Sequence, residues 1–136
     1  VSMAARLSLK TRITPGSPVC FTDKGPDGRH AVAFEDDGKT GVFYALDLQR
    51  RDSPVLDVMK IYDAEDFSTG LGSAQVEVVW TGDGQKAALT VHRVMEAVYD
   101  FEARRGYCRT GEATPTPDGT SESHEWSSDA VKLFAV

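Results

Sequence analysis

Side chains alternate with a period of two along two neighbouring runs in the first half of the chain. Val32 and Phe34 alternate with alanines, and Val42, Tyr44 and Leu46 alternate with an aromatic and a small residue. This period and the aromatic content are typical of β-strands. The letters DDGKTG between the runs favour a tight turn, so the stretch VAFEDDGKTGVFYALD predicts a β-hairpin.

The same pattern returns further along the chain. AQVEVVW (74–80) and KAALTVH (86–92) flank the turn-forming TGDGQ and predict a second hairpin. Shorter strands are predicted at PVCF (18–21) and VLDVMKIYD (55–63). The segment RVMEAVYDFEARRG (93–106) fits both a helical and a strand period, and its valine, tyrosine and phenylalanine content favours a strand.

The two ends of the chain carry different signals. Residues 1–16 are expected to form an extended lead-in that ends in the turn-prone TPGSP. Residues 110–125 contain few hydrophobic side chains and many Thr, Ser, Pro and Gly, which predicts a flexible loop. In the closing EWSSDAVKLFAV, Ser127 or Ser128 can cap a helix that has Asp129 in its first turn. Helical spacing places four hydrophobic side chains on one face: Trp126, Ala130, Leu133 and Phe134.

Together these elements predict an α+β fold that is mostly β. It would be an antiparallel meandering sheet of hairpins with a short C-terminal helix that docks on the sheet. The chain has 136 residues, of which 40% are hydrophobic and 26% charged, as in ordinary globular proteins. This length suits one domain over residues 1–136 with a single core.

The net charge limits the classes of partner that the protein is expected to bind. Fifteen basic and twenty-one acidic side chains give a formal net charge of -6, which argues against a nucleic-acid binder and is compatible with a basic protein partner. No hydrophobic run approaches the roughly 20 residues of a membrane helix, and the first fifteen residues hold no signal-peptide-like block. We therefore expect a cytoplasmic protein that does not contact a membrane. Its oligomeric state is not specified by the sequence.

The two cysteines, Cys20 and Cys108, are too few for a disulfide framework and lack metal-ligand spacing. Reduced thiols in a cytoplasmic protein are the favoured interpretation. A single Cys20–Cys108 bridge is left open.

Several phrases resemble those of one bacterial family. They are FEDDGKTG with FYALD, PVLDVMKIYD, KAALTV and AVYDFEARRGYCRTG. On these phrases the chain resembles the family known as domain of unknown function 2251, over roughly residues 18–134. The resemblance implies a small bacterial protein, and it brings no activity or catalytic residue to transfer.

The consecutive acids Glu35, Asp36 and Asp37 are the most motif-like feature. With Asp47 they could offer oxygen ligands to Ca²⁺ or Mg²⁺. Their spacing does not match a calcium loop, and adjacent strand residues point to opposite faces. Turn chemistry is the favoured interpretation, since Asp tolerates turn geometry and Gly supplies positive φ. If the acids have a function, an exposed acidic hairpin tip that meets a basic partner is favoured over a metal site, and no cofactor is predicted.

Candidate catalytic chemistry centres on Cys108. Arg104, Arg105 and Arg109 flank it in the sequence, and nearby positive charge promotes thiolate formation. A grouping of Cys108 with His92 and Asp100 is conceivable. The opposing interpretation is a buried cysteine that acts as a small hydrophobic side chain. The three histidines, His30, His92 and His124, lack metal-binding spacing and are expected at the surface or at strand edges.

The arginines have a second interpretation. Together with Tyr107, Arg104, Arg105 and Arg109 could bind an anion or a partner, because guanidinium groups pair with carboxylates or phosphates and stack on rings. Ion pairs with the many acids of the chain explain the same residues. Glycine-rich phosphate loops and a G-x-S-x-G nucleophile elbow are both missing from the sequence.

Two hypotheses follow. The first is a non-enzymatic protein-interaction module, for example an immunity-type protein whose acidic loops oppose the basic active site of a bacterial toxin. The second is a small-ligand binder or enzyme that uses Cys108 and the neighbouring arginine cluster.

Overall fold

The computed structural model describes residues 5–67, 72–116, 121–132 and 134. The described residues form eleven β-strands, one 3₁₀ helix and one short α-helix. The strands are β1 Ala5–Ile13, β2 Val19–Lys24, β3 His30–Asp36, β4 Thr40–Asp47, β5 Val55–Asp63, β6 Ala74–Thr81, β7 Lys86–Val91, β8 Val94–Asp100, β9 Arg105–Cys108, β10 Gly111–Pro115 and β11 Ser121–His124. The 3₁₀ helix is Ala64–Phe67 and α1 is Ser128–Lys132.

Two antiparallel sheets enclose the main core. One has five strands in the order β1-β6-β7-β8-β9, and the other has four strands in the order β2-β3-β4-β5. Many inward-facing side chains of both sheets are fully or almost fully buried. The largest of them are Phe34, Phe43, Met59, Trp80, Leu89 and Tyr99. The predicted α+β class, mostly β and antiparallel with a short C-terminal helix, is confirmed, and the described strands are divided among these two sheets and a separate two-stranded ladder.

The predicted hairpins are both present. β3 and β4 pair from His30↔Asp47 to Asp36↔Gly41, and β6 and β7 pair from Val76↔Val91 to Trp80↔Ala87. The segment that fitted two periods contains strand β8 at Val94–Asp100. Hairpin turns connect strands that are adjacent in sequence, which is why local patterns identified these pairs.

The beginning of the chain, expected as an extended lead-in, contains a strand that is paired in a sheet. Residues Ala5–Ile13 form β1, an edge strand that pairs with β6 from Ala5↔Thr81 to Ile13↔Ala74. Residues 1–4 lie outside the described part. Sequence reasoning missed this strand because its partner is more than sixty residues away and its pattern is weakly hydrophobic.

The segment 110–125, predicted as a flexible loop, is also corrected. It contains strands β10 and β11, which pair as a separate two-stranded ladder with Gly111↔His124 and Pro115↔Ser121 as its end pairs. Residues 117–120 lie outside the described part. The composition of the segment hid the strands because few of its side chains are hydrophobic.

The C-terminal helix packs on the outer face of the five-stranded sheet, as predicted. Ala130 is buried against Ala88 and Val98, and Trp126 and Phe134 pack around them. The Ser127 hydroxyl accepts a hydrogen bond from the Asp129 backbone N–H at 3.1 Å and caps the helix start. Leu133 lies outside the described residues. Among the described residues, no helix is long and hydrophobic enough to cross a membrane.

Two β-bulges prepare the candidate site. In β5, Tyr62 pairs with Gly41 and Lys60 with Val42, so that Ile61 is the extra residue. In β8, Glu96 is extra in the same way, because its neighbours Met95 and Ala97 pair with consecutive residues of β7. A bulge bends its strand and redirects a side chain, and bulges are frequent near functional sites.

Candidate functional site

Asp36, the middle acid of the Glu35-Asp36-Asp37 run, holds three chain segments together. Its side chain is 1% exposed. Oδ2 accepts hydrogen bonds from the Gly16 backbone N–H at 2.9 Å and from the Tyr62 hydroxyl at 2.6 Å, and Oδ1 accepts one from the Gly38 N–H at 2.8 Å. Burial and the Asp36 hydrogen bond raise the pKa of Tyr62. Asp36 therefore stabilises the fold and is not exposed at the hairpin tip.

The absence of a side chain at Gly41 leaves room for the Tyr62 ring and so allows the Asp36–Tyr62 contact. A Cβ atom on Gly41 would lie 2.5 Å from Cζ of Tyr62, so the tyrosine ring lies directly against the Gly41 backbone. The FEDDGKTG phrase thus specifies a packed junction between the hairpin and β5.

The other two acids of the run are bound locally. Asp37 is exposed, and its Oδ1 accepts hydrogen bonds from the backbone N–H groups of Lys39 and Thr40, each at 2.9 Å. These bonds lower the pKa of Asp37. Glu35 accepts a hydrogen bond from the Tyr44 hydroxyl at 3.0 Å on the outer face of the four-stranded sheet. The three carboxylates point in different directions, as expected for turn chemistry.

Cys108 does not sit in an accessible site. Its side chain is 0% exposed in the core, and Sγ lies 3.3 Å from the Thr110 hydroxyl. The grouping with His92 and Asp100 is not formed, because His92 lies in the turn before β8 and Asp100 is the last residue of that strand, which is roughly 20 Å long at about 3.3 Å per residue. Cys20 is exposed on β2, and both thiols are free, so the Cys20–Cys108 bridge is absent.

The arginines near Cys108 are divided among separate contacts. The Arg109 guanidinium lies 4.4 Å from the ring centroid of Trp126, and its Nε donates to the Met95 carbonyl oxygen at 2.7 Å. Arg105 lies 5.1 Å from the ring centroid of Tyr107. Arg104 adopts a positive φ of 56° in the turn between β8 and β9. Arg109 thereby helps to hold the C-terminal segment, and no common anion site is formed by these residues.

One histidine was placed wrongly by the sequence. His124 is 0% exposed and not at the surface. Its Nδ1–H donates to the Glu112 carbonyl oxygen at 2.6 Å, and its Nε2 lies within hydrogen-bond distance of Oδ1 of Asp57, at 2.8 Å. A Cβ atom on Gly106 would lie 2.7 Å from Asp57 Oδ2, so only glycine fits beside the pair. Nothing local in the sequence signals this contact, which spans sixty-seven positions.

The two bulges meet in a groove between β5 and β8, which we call the acidic groove. It is a depression of about 420 Å³ lined by residues 60–63, Asp66, Val91, Glu96, Thr110 and Glu112. Ile61 and Glu96, the extra residues of the two bulges, both line it. Four carboxylates therefore surround a floor that includes the Ile61, Tyr62 and Val91 side chains.

A single ammonium group already lies among these carboxylates. Lys60 Nζ is 2.9 Å from Asp63 Oδ2 and 3.4 Å from Glu112 Oε2. The hydrogen bond to Asp63 raises the pKa of Lys60 most, and Glu112 adds to this. Burial raises the pKa of Glu96, against an opposing effect of the Arg109 charge. Lys60 lies in the groove and the Arg109 charge acts on Glu96, so the four carboxylates still outnumber the cations that act on them.

This arrangement suits a second cationic group better than a metal ion. No group of three His, Cys, Asp or Glu side chains within the described ranges could hold a metal. The groove combines hydrogen-bond acceptors with a hydrophobic floor, which matches a lysine or arginine side chain with its methylene stem. Sequence reasoning missed Asp63, Asp66, Glu96 and Glu112 because the segments that carry them come together only in the fold.

Comparisons with known proteins agree on one group. A family model described as "Uncharacterized protein conserved in bacteria (DUF2251)" matches residues 13–135. An uncharacterized protein of Haemophilus influenzae is 36% identical over 113 residues, which cover 82% of this chain and 69% of that protein. No solved structure matches the chain.

Proposed function

The chain belongs to the bacterial family DUF2251, and we propose that it is a protein-interaction module whose acidic groove binds basic side chains of a partner protein. The net charge of -6 supports a basic partner. The acids that support it are those of the groove instead of the acids at residues 35–37.

The observation that carries this proposal is the convergence of two bulges on one groove. Each bulge interrupts strand pairing, which costs hydrogen bonds in a sheet. Both extra residues, Ile61 and Glu96, line the same depression. Two independent departures from regular pairing at one place favour a surface shaped for binding over a by-product of packing.

The Lys60 contacts support a basic group as the ligand of the groove. An ammonium group fits between Asp63 and Glu112 at 2.9 and 3.4 Å. Asp66 and Glu96 have no ion pair among the described residues and provide the further negative charge. A partner's lysine or arginine would lie along the hydrophobic floor with its charged end toward these carboxylates.

An immunity-type role is the specific form of this proposal. In that role the protein would act in the cytoplasm and cover the basic active site of a bacterial toxin, because complementary potentials speed and orient such associations. The alternative, a ligand binder or enzyme that uses Cys108, loses support from the buried position of Cys108 and from the separated arginines.

A capture experiment with two matched variants tests the proposal. The test variant Asp63→Asn, Asp66→Asn, Glu112→Gln removes three groove charges. The control variant Asp52→Asn, Glu102→Gln, Glu125→Gln removes three exposed charges elsewhere, so both have the same net charge. Wild type and variants are immobilised and incubated with lysate of the bacterium that encodes the chain.

We expect wild type and control to retain the same basic protein in stoichiometric amount, and the groove variant to lose it. Circular dichroism checks that each variant is folded. Retention of the partner by the groove variant, or no stoichiometric partner for wild type, would contradict the proposal. Growth rescue on co-expression with the captured protein, if that protein is toxic, would establish the immunity-type form.

A further inference from the structure

A second surface feature of the five-stranded sheet lies beside the turn that connects β7 and β8. Arg12, Gln75, His92 and Arg93 line a depression of about 380 Å³, which we call the basic corner. Arg12 and Gln75 lie directly opposite each other on β1 and β6, and the His92 N–H donates to the Gln75 carbonyl oxygen at 2.8 Å. Three neighbouring chain segments thus bring their side chains to one place.

The basic corner concentrates positive charge without a neutralising carboxylate. Arg12 donates to the Ser73 hydroxyl at 3.1 Å, and no ion pair joins Arg12, His92 or Arg93 to a carboxylate within the described ranges. The nearest acid along β6, Glu77, accepts from Gln75 Nε2 at 2.8 Å and lies opposite Lys10. In a chain with a net charge of -6, two arginines that meet without a carboxylate favour an external anion.

The turn that carries two of these residues is strained. His92 and Arg93 adopt φ values of 54° and 67° in a two-residue connection between Val91 and Val94. Such turns favour Asn-Gly, because Gly adopts positive φ freely and most other residues are uncommon there, with Asn, Asp and His better tolerated than the rest. Strain of this kind is concentrated at functional sites. A turn with histidine and arginine is less stable than one with Asn-Gly. In return, these two residues place an imidazole and a guanidinium group at the depression.

We propose that the basic corner binds the phosphate group of a small molecule. Two guanidinium groups can each donate two parallel hydrogen bonds to phosphate oxygens, and the imidazole supplies a further donor. The depression is within the size range of small-molecule sites. This inference does not depend on the proposed function, because it concerns other residues and a ligand of opposite charge.

The test uses inorganic phosphate as the probe and the ¹⁵N-labelled full chain. Phosphate is added near neutral pH in place of chloride, so that the ionic strength stays constant. A parallel series adds acetate in the same way. We expect saturable shifts of the Gln75, His92 and Arg93 amide signals with phosphate in the millimolar range, and much weaker shifts with acetate. Shifts that do not saturate, or stronger binding of acetate, would overturn the assignment.

A double variant separates binding from folding. His92→Asn with Arg93→Gly converts the turn to Asn-Gly, so we expect its Tm to rise by roughly 3–8 °C because strain is relieved. The same variant should bind phosphate at least about tenfold more weakly, because charged donors are lost. Arg50→Gln with Arg51→Gln, which removes two exposed charges from another loop, should bind like wild type. Unchanged phosphate affinity in the Asn-Gly variant would overturn the proposal.

Discussion

At the scale of single residues, Asp36 shows how a motif-like acid can be structural. It accepts three hydrogen bonds from the loop before β2, from the β3–β4 turn and from β5. A buried carboxylate is stable only when its oxygens are satisfied in this way. Its neighbour Asp37 performs a local task by capping two backbone N–H groups.

Substitution of Asp36 should therefore damage the fold strongly. We expect Asp36→Ala to lower the free energy of unfolding by about 3–5 kcal/mol, because it leaves the three donors without an acceptor in a buried site. Tyr62→Phe should cost about 1–2 kcal/mol, because one of the three bonds is lost. Urea unfolding followed by circular dichroism measures both values. A loss in Asp37→Ala as large as that in Asp36→Ala would refute the distinction between the two acids.

We expect the protein to lose stability in alkali because of Tyr44. Burial, followed by the hydrogen bond to Glu35, raises the pKa of Tyr44 to about 12 from an ordinary value of 10.0. Between these two values the unfolded chain loses the phenolic proton and the folded chain keeps it, so stability falls as pH rises. Tyr44→Phe should unfold at a less pH-dependent urea concentration between about pH 10 and 12 than wild type does. Tyr107→Phe is the control; an equal effect there would count against the assignment to Tyr44.

At the scale of elements, the β10–β11 ladder is attached to the body by His124. The side chain bonds the Glu112 carbonyl oxygen within the ladder and Asp57 on β5. Breaking a buried ionic or hydrogen-bonded pair by removing one partner is more costly than losing a surface contact. The ladder has few hydrophobic side chains, so this buried pair and the Lys60–Glu112 ion pair contribute to its attachment to β5.

Loss of that pair should loosen the ladder first. We expect His124→Ala to lower the free energy of unfolding by about 3–5 kcal/mol and to speed amide hydrogen exchange in β10 and β11 more than in β6 and β7. Exchange measured by NMR in the absence of denaturant resolves the two regions. If the amides of all strands speed up by the same factor, the link acts on the whole fold instead of on the ladder.

At the scale of the whole molecule, the two cysteines report global unfolding. Cys20 is exposed and Cys108 is buried in the core between the sheets. Iodoacetamide should alkylate one thiol in the native protein and both in denaturant, with Cys108 protected until global opening. Intact mass spectrometry counts the modified thiols over time. Rapid native alkylation of Cys108 would restore the hypothesis that it is an accessible nucleophile.

The elements that sequence predicted well are those that form between neighbours. The β3–β4 hairpin and the strand Val55–Asp63 follow a period of two and are bounded by turn residues. The edge strand β1 and the β10–β11 ladder were missed, because their pairing depends on distant partners or on a few buried polar bonds. The candidate site followed the same rule: consecutive acids drew attention, and the groove acids are scattered along the chain.

The sequence by itself determined the strand-rich class, the hairpins, the capped C-terminal helix and the family, since these depend on local periodicity, turn chemistry and contiguous phrases. The tertiary structure alone decided which acids are buried, where the chain divides into two sheets, and that two bulges share one groove. The physical reason is that burial and bulge register arise from contacts between segments far apart in the chain. Asp36 and Glu96 both carry a carboxyl group, and their different roles follow from the different surroundings in which the fold places them.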